Sequence, residues 1–236
     1  MAGFTEIETL DGSAKMPAYV ARPDGEAKAA IIVIQEIFGV NPGIQSKCET
    51  WAKAGYLAIA PDLFWRIEPG VSLDPDVEPE FKRALDLMGR FDQDTGIADI
   101  EACIHFARDT IGAANGRAKV GCVGYCLGGR LAFMTAARTD IDASVGYYGV
   151  GIDGLLRESH AIAHPVMLHI PTADGFVGPE VQKAMHEGLD DHPKLTLHDY
   201  DGLDHGFAAE HGKRRDEQAA QLADGRTAAF FAENLG

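Results

Sequence analysis

The amino-acid sequence predicts an α/β fold built on a mostly parallel central sheet with helices on both faces. Three observations predict it. Short, continuous apolar runs rich in β-branched residues recur along the chain, as strands buried on both faces require. Segments with helical spacing of apolar residues fall between them. This strand–helix alternation is the pattern of parallel sheets joined by right-handed crossovers.

In chain order, residues 16–21 read as an early strand at the sheet edge, and 29–34 (Ala-Ala-Ile-Ile-Val-Ile) as the first strand buried on both sides. A helix over 44–53 follows, then a strand over 57–60, stopped by Pro61-Asp62. Residues 80–91 place Phe81, Ala84, Leu85 and Met88 on one helical face, and a second helix covers 97–110. The third buried strand is 119–123, followed by a helix over 127–138. Strands at 143–148, 166–170 and 195–200 complete the sheet. Helices over 180–188 and 214–231 follow the last two of these strands. No linker, repeat or low-complexity segment divides the chain, so residues 1–236 are expected to form a single domain.

Bulk properties narrow the function. The net charge of −15 disfavours nucleic-acid backbones and anionic membrane surfaces, which basic proteins bind by releasing counterions. No apolar stretch approaches the roughly 18 residues of a membrane span. Four cysteines are too few for a disulfide scaffold, and no histidine completes a zinc spacing with Cys122 and Cys126. The start of the chain lacks the basic-then-apolar pattern of a signal peptide. The expectation is a cytoplasmic protein with no cofactor and no metal, acting on a small molecule as a monomer or small homo-oligomer.

Ligands of such sheets bind at the carboxyl ends of the strands, so reactive residues just after a strand matter most. Gly124-Tyr125-Cys126-Leu127-Gly128 follows the strand 119–123 and opens a helix. This G-x-C-x-G spacing is that of the nucleophile elbow of the α/β-hydrolase fold, with cysteine in place of serine. The elbow is a strained turn, and side chains two positions either side of the nucleophile would collide. The helix N-terminus beneath Cys126 favours its thiolate, and the Leu127 N–H points to where an oxyanion would form. The competing reading, a buried structural cysteine in a glycine-rich turn, suits Cys122 inside the strand better than Cys126.

The elbow fold orders its triad as nucleophile, acid, base. Asp174 lies in the loop ending strand 166–170, where an aspartate can also serve only to turn the chain. Of nine histidines, His105 and His186 fall in helices, His169 and His198 in strands, and His160, His164 and His192 before strands; His211 comes late, near a charged helix start. His205 alone sits in a short loop after the last strand. Cys126, His205 and Asp174 are therefore the candidate catalytic set, with Cys126 forming a thioester. Glu36 ends the first buried strand and faces the crevice, either as a working group or merely bonding loop amides. The next residue, Ile37, is the natural second oxyanion donor.

Six segments together resemble the dienelactone hydrolase family, the carboxymethylenebutenolidases. They are Gln35-Glu36-Ile37-Phe38-Gly39-Val40-Asn41, Pro61-Asp62-Leu63, the elbow through Gly129, Gly146-Tyr147-Tyr148-Gly149-Val150-Gly151, Asp174-Gly175-Phe176-Val177 and His205-Gly206-Phe207. The resemblance implies hydrolysis of a small lactone or ester by Cys126, His205 and Asp174. It also implies a switch role for Glu36, which helps deprotonate the nucleophile when substrate arrives. Phe38 and Tyr148, within the matching segments, become candidate substrate-binding residues. The alternative within this class is a broad carboxylesterase for short-chain esters. One departure bears on substrate. Arginines that hold a substrate carboxylate in the family are expected near Phe81 and at Ala209, and neither is present. Lys82, Arg83 and Arg66 read as surface charges rather than replacements. The expectation is an ester or lactone without a carboxylate.

Overall fold

The computed structural model describes residues 1–112, 118–210 and 212–236. His211, which the sequence places too late in the chain to be the base, lies outside the described residues. Among the described residues, eight strands form one sheet: β1 (Ala2–Glu8), β2 (Lys15–Ala21), β3 (Ala30–Ile34), β4 (Leu57–Pro61), β5 (Val120–Tyr125), β6 (Ala143–Tyr147), β7 (Val166–Pro171) and β8 (Leu195–Tyr200). Their order is β1-β2-β4-β3-β5-β6-β7-β8. The two N-terminal strands pair antiparallel; β4, β3 and β5 to β8 run parallel. This is the expected α/β-hydrolase architecture.

Alternation of side chains along a strand splits the core into two layers. Ile32 and Ile34 of β3 point to one face, and Ile31 and Val33 to the other. The first layer is covered by α2 (Glu78–Arg90), α3 (Gln93–Ile111), α4 (Leu127–Arg138) and α5 (Pro179–Leu189). The second is covered by α1 (Pro42–Lys53) and α6 (Glu217–Leu235). Helix starts follow their caps: the side chains of Asn41, Asp92 and Asp216 accept from the N–H of Ile44, Thr95 and Ala219, at 3.1, 2.7 and 2.9 Å. Among the described residues, no helix is long and apolar enough to cross a membrane.

Besides shifts of one to four residues at other element ends, three differences from the sequence reading stand out. The sequence pattern does not predict β1. Only Ile7 of its seven residues is buried, so it carries no apolar run and is held by backbone pairing to β2. Nor does the pattern predict the 3-10 helix over Ile152–Ala161; it follows Gly151, which turns the chain at φ 75°. The last helix begins at Glu217 rather than 214, because Asp216 caps it and the Asp216 N–H is bonded to the Phe207 carbonyl at 2.9 Å. That shift leaves Arg214 beside Lys213 in the loop that follows His205.

Candidate active site

The carboxyl ends of β3, β5, β6, β7 and β8 border a cavity of about 730 Å³, within the usual size range of small-molecule sites. At its floor is the elbow between β5 and α4. Cys126 has φ 56° and ψ −115°, a conformation an L-residue occupies only when its surroundings impose it. Glycines make the turn possible. A Cβ on Gly124 would sit 1.9 Å from the Gly128 carbonyl oxygen, and one on Gly128 2.4 Å from that of Ile34. The Cys126 N–H bonds the Tyr147 carbonyl at 3.0 Å, and its own carbonyl accepts from the N–H of Gly129 and Arg130. The sulfur is therefore fixed at the mouth of β5, at the N-terminus of α4.

His205 reaches the same place from the loop after β8. Its Nδ1–H donates to Asp174 Oδ2 at 2.9 Å, and both side chains are buried. The other oxygen of Asp174 accepts from the N–H of Phe176 at 2.7 Å and of Val177 at 3.2 Å, so the carboxylate is locked in its loop. Asp204 joins the two loops by accepting from the N–H of Gly175 and of His205, at 3.0 and 2.7 Å. Bonds from the Gly175 and His205 amides hold its carboxyl below the usual range. The imidazole lies between the rings of Tyr148 and Phe176, each with its centroid 4.9 Å away. Its Nε2 is buried and interacts with the Cys126 thiol without a hydrogen bond of standard geometry. Burial pulls the imidazole toward neutrality, but the Asp174 bond and the Cys126 sulfur outweigh it and raise its pKa to about 10.

Glu36 stands at the end of β3, half-buried and bordering the cavity. Its backbone is held by Gln35, whose side chain accepts from the Leu63 N–H at 3.1 Å and donates to the Glu36 carbonyl at 3.3 Å. Burial pushes the Glu36 carboxyl up; His205, Lys47, Tyr148 and Arg214 oppose this. Tyr148 acts on this carboxyl as a donor, though its hydroxyl makes no hydrogen bond of standard geometry. Ile37, Phe38 and Leu127 line the main cavity, and Phe38 packs on Phe81 with ring centroids 5.9 Å apart. Tyr148 does not line it. This residue, read from the sequence as a substrate contact, is buried beneath His205 and borders a smaller cavity behind Glu36. Its φ of 40° makes it the second strained residue of the site.

The thiols divide clearly. Cys48, Cys103 and Cys122 are buried, and burial pushes their pKa values up, that of Cys122 to about 12. Cys122 Sγ lies 3.2 Å from Ser144 Oγ, inside the sheet. Cys126 alone of the four is partly exposed. Iodoacetamide at neutral pH is therefore expected to alkylate Cys126 only; a second modified cysteine in the peptide map would contradict this.

The charges around the cavity were only partly legible. Phe81 and Ala209 line it uncharged, as expected. Lys82 and Arg83 pair with Glu78 and Glu68 on the surface, and Arg66 pairs with the buried Asp99. Three other cations, Arg130, Lys213 and Arg214, line the cavity, and among the described residues none has a carboxylate within ion-pair distance. Arg130 bonds Gln93 and the Gly151 carbonyl, and Arg214 lies 5.5 Å from the Phe176 ring centroid, beside His205. The sequence signal was weak: Arg130 reads as one turn of a buried helix, and Arg214 as part of a charged run.

Sheet order, elbow and strand-end loops define a hydrolase of the α/β-hydrolase fold. Comparison with known proteins narrows this. The profile of the dienelactone hydrolase family matches residues 16–235, and the chain belongs to that family. An Azospirillum brasilense protein provisionally named carboxymethylenebutenolidase is 45% identical over 96% of each chain. The Pseudomonas putida carboxymethylenebutenolidase is 38% identical, over 96% of this chain and 94% of its own. The crystal structure of a Klebsiella pneumoniae protein provisionally named dienelactone hydrolase superposes with a TM-score of 0.84 at 29% identity, covering 99% of this chain and 98% of that one.

Proposed function

We propose that this chain, acting as a single domain, hydrolyses a small lactone or ester through an acyl-cysteine intermediate. The observation that carries the reading is the 2.9 Å His205–Asp174 bond beside the one accessible thiol, on a strained turn in a cavity wide enough for a substrate. The Cys126 proton passes to Glu36, which leaves the thiolate beside the protonated His205. The thiolate attacks the carbonyl carbon, and the N–H groups of Leu127 and Ile37 stabilise the oxyanion. The intermediate collapses as His205 protonates the departing alkoxide, which in a lactone stays attached to the acyl group. His205 then deprotonates water, which attacks the thioester and releases the acid and the thiol. Asp174 holds the imidazole tautomer throughout. Phe38 forms an apolar wall, while Tyr148 steadies His205 and Glu36 from behind.

The three cations without ion-pair partners change the expected substrate. These cations offset the carboxylates Glu36, Asp76 and Glu78 on the same lining, in a chain of net charge −15, and the guanidinium of Arg214 beside His205 is placed to receive an anionic acyl group. We therefore propose a lactone or ester that carries a carboxylate, held by Arg214 and Arg130 from positions other than 81 and 209. The names of the carboxymethylenebutenolidases agree with such a substrate. A neutral short-chain ester is the alternative, and Arg214→Gln separates the two. That variant is expected to raise KM for carboxylate-bearing substrates about tenfold, the loss of one charge-assisted contact, while leaving p-nitrophenyl acetate little changed. Equal effects on both substrates would favour the broad esterase. The intermediate itself is tested by quenching the enzyme during turnover: the substrate's acyl mass is expected on the Cys126 peptide, and an acyl group on any other residue would refute the reading.

A further inference from the structure

Among the described residues, the proposed mechanism leaves one buried lysine unused. Lys47 belongs to α1, which packs on the opposite face of the sheet from α4, and it is only 6% exposed. A buried lysine must have partners; here they are Glu210 and Asp224, each 3.1 Å from Nζ. Its ammonium also lies 5.3 Å from the centroid of Tyr125, the residue before the elbow cysteine. Lys47 and Glu210 line a cavity of about 30 Å³ whose other polar walls are Glu36, Asn41, Tyr125 and Tyr148. A space of this size and polarity admits a water molecule between charged walls. Ala209 borders it too, adding no bulk between Lys47 and Glu36.

We propose that Lys47 is a positioning residue for hydrolysis: across this cavity its ammonium keeps the Glu36 carboxylate charged, and Glu210 sets how much of that charge reaches it. The inference rests on the proposed role of Glu36 toward Cys126. Every charged or titratable group around Glu36 enters the balance. Cys126 faces it from the elbow, His205 and Arg214 from the loops after β8, Tyr148 from the end of β6 and Lys47 from α1. Glu210 and Tyr125 share the small cavity with Glu36 and Lys47, and Asp224 pairs with Lys47 from α6. Lys47 is among the groups that lower the proton affinity of Glu36, against the burial that raises it. A lysine that only packed α1 against α6 would have no such effect.

The test is the acid limb of kcat/KM, which reports the essential base of the free enzyme, measured beside the pH dependence of iodoacetamide alkylation of Cys126. Lys47→Met is expected to move both limbs up by about one pH unit, as loss of a nearby opposite charge does. Lys47→Arg is expected to restore them. Glu210→Gln is expected to move them down, because it frees the Lys47 charge and removes a repelling anion. A folded Lys47→Met with unmoved limbs would overturn the proposal. If Lys47→Met does not fold, Glu210→Gln decides, and unmoved limbs there would overturn it equally. The two readings fail separately. Activity surviving in Cys126→Ala refutes the nucleophile; unmoved limbs in an enzyme that Cys126→Ala inactivates refute Lys47 alone.

Discussion

Replacing Cys126 with alanine is expected to lower kcat by at least about four orders of magnitude, the scale seen when a nucleophile is removed from a working triad. The proposed oxyanion donors at Leu127 and Ile37 and the His205–Asp174 pair would remain to orient water, but no covalent intermediate could form. Folding should survive, because alanine keeps the Cβ at φ 56° and removes a single sulfur from a partly exposed position. Cys126→Ser should retain more activity than alanine and less than the wild type. A hydroxyl fits the turn but gives up its proton far less readily than a thiol, even with the helix dipole and Glu36 beside it. Steady-state hydrolysis of a carboxylate-bearing lactone, with circular dichroism as the control for folding, measures all three enzymes. Near wild-type turnover by the alanine variant would mean that Cys126 is not the nucleophile. Residual activity could not then be moved to Cys122, whose sulfur is sealed between strands beside Ser144.

The same contrast shows what the sequence could and could not reveal. The elbow was legible because its glycines are demanded by contacts of 1.9 and 2.4 Å that only a missing Cβ relieves. His205 and Asp174 were legible because strand-end loops in this order admit few candidates. The central strands were legible because burial on both faces writes an unbroken apolar run, as Ile31 to Ile34 do. β1 was not, since six of its seven residues are exposed and it is held by backbone pairing to β2. The cavity's cations were hidden for another reason. Arg130 and Arg214 are separated by 84 positions along the chain, and each resembles surface charge until the fold brings them to one cavity. Lys47 was hidden likewise: on α1 it reads as an ordinary helix-surface lysine, and only the sheet's topology carries it beneath Glu36. Short-range constraints leave a signature in sequence, whereas complementarity between distant segments does not.

Asp174→Asn is expected to cost about four orders of magnitude in kcat, because an amide can present its N–H to the imidazole and trap the wrong tautomer. The geometry makes this substitution sharp. Oδ1 is already occupied by the Phe176 and Val177 amides, so an asparagine would keep its oxygen there and turn its NH₂ toward His205. The variant should also change how stability depends on pH. The His205 pKa is about 10 in the folded protein, against 6.5 for the unperturbed imidazole. A raised pKa means that the folded state binds the proton more tightly than the unfolded state does. Its contribution is fully present below about 6.5 and is lost as pH rises through about 10. Wild-type Tm is therefore expected to decline across this window. Asp174→Asn should flatten the decline, because the main group holding the proton is gone, and Cys126→Ala should flatten it in part. Thermal melts between pH 6 and 10.5 measure the slopes. A variant that loses activity while keeping the wild-type slope would separate the catalytic role of Asp174 from its grip on the imidazolium, and the carboxylate could not then be what holds the proton on His205.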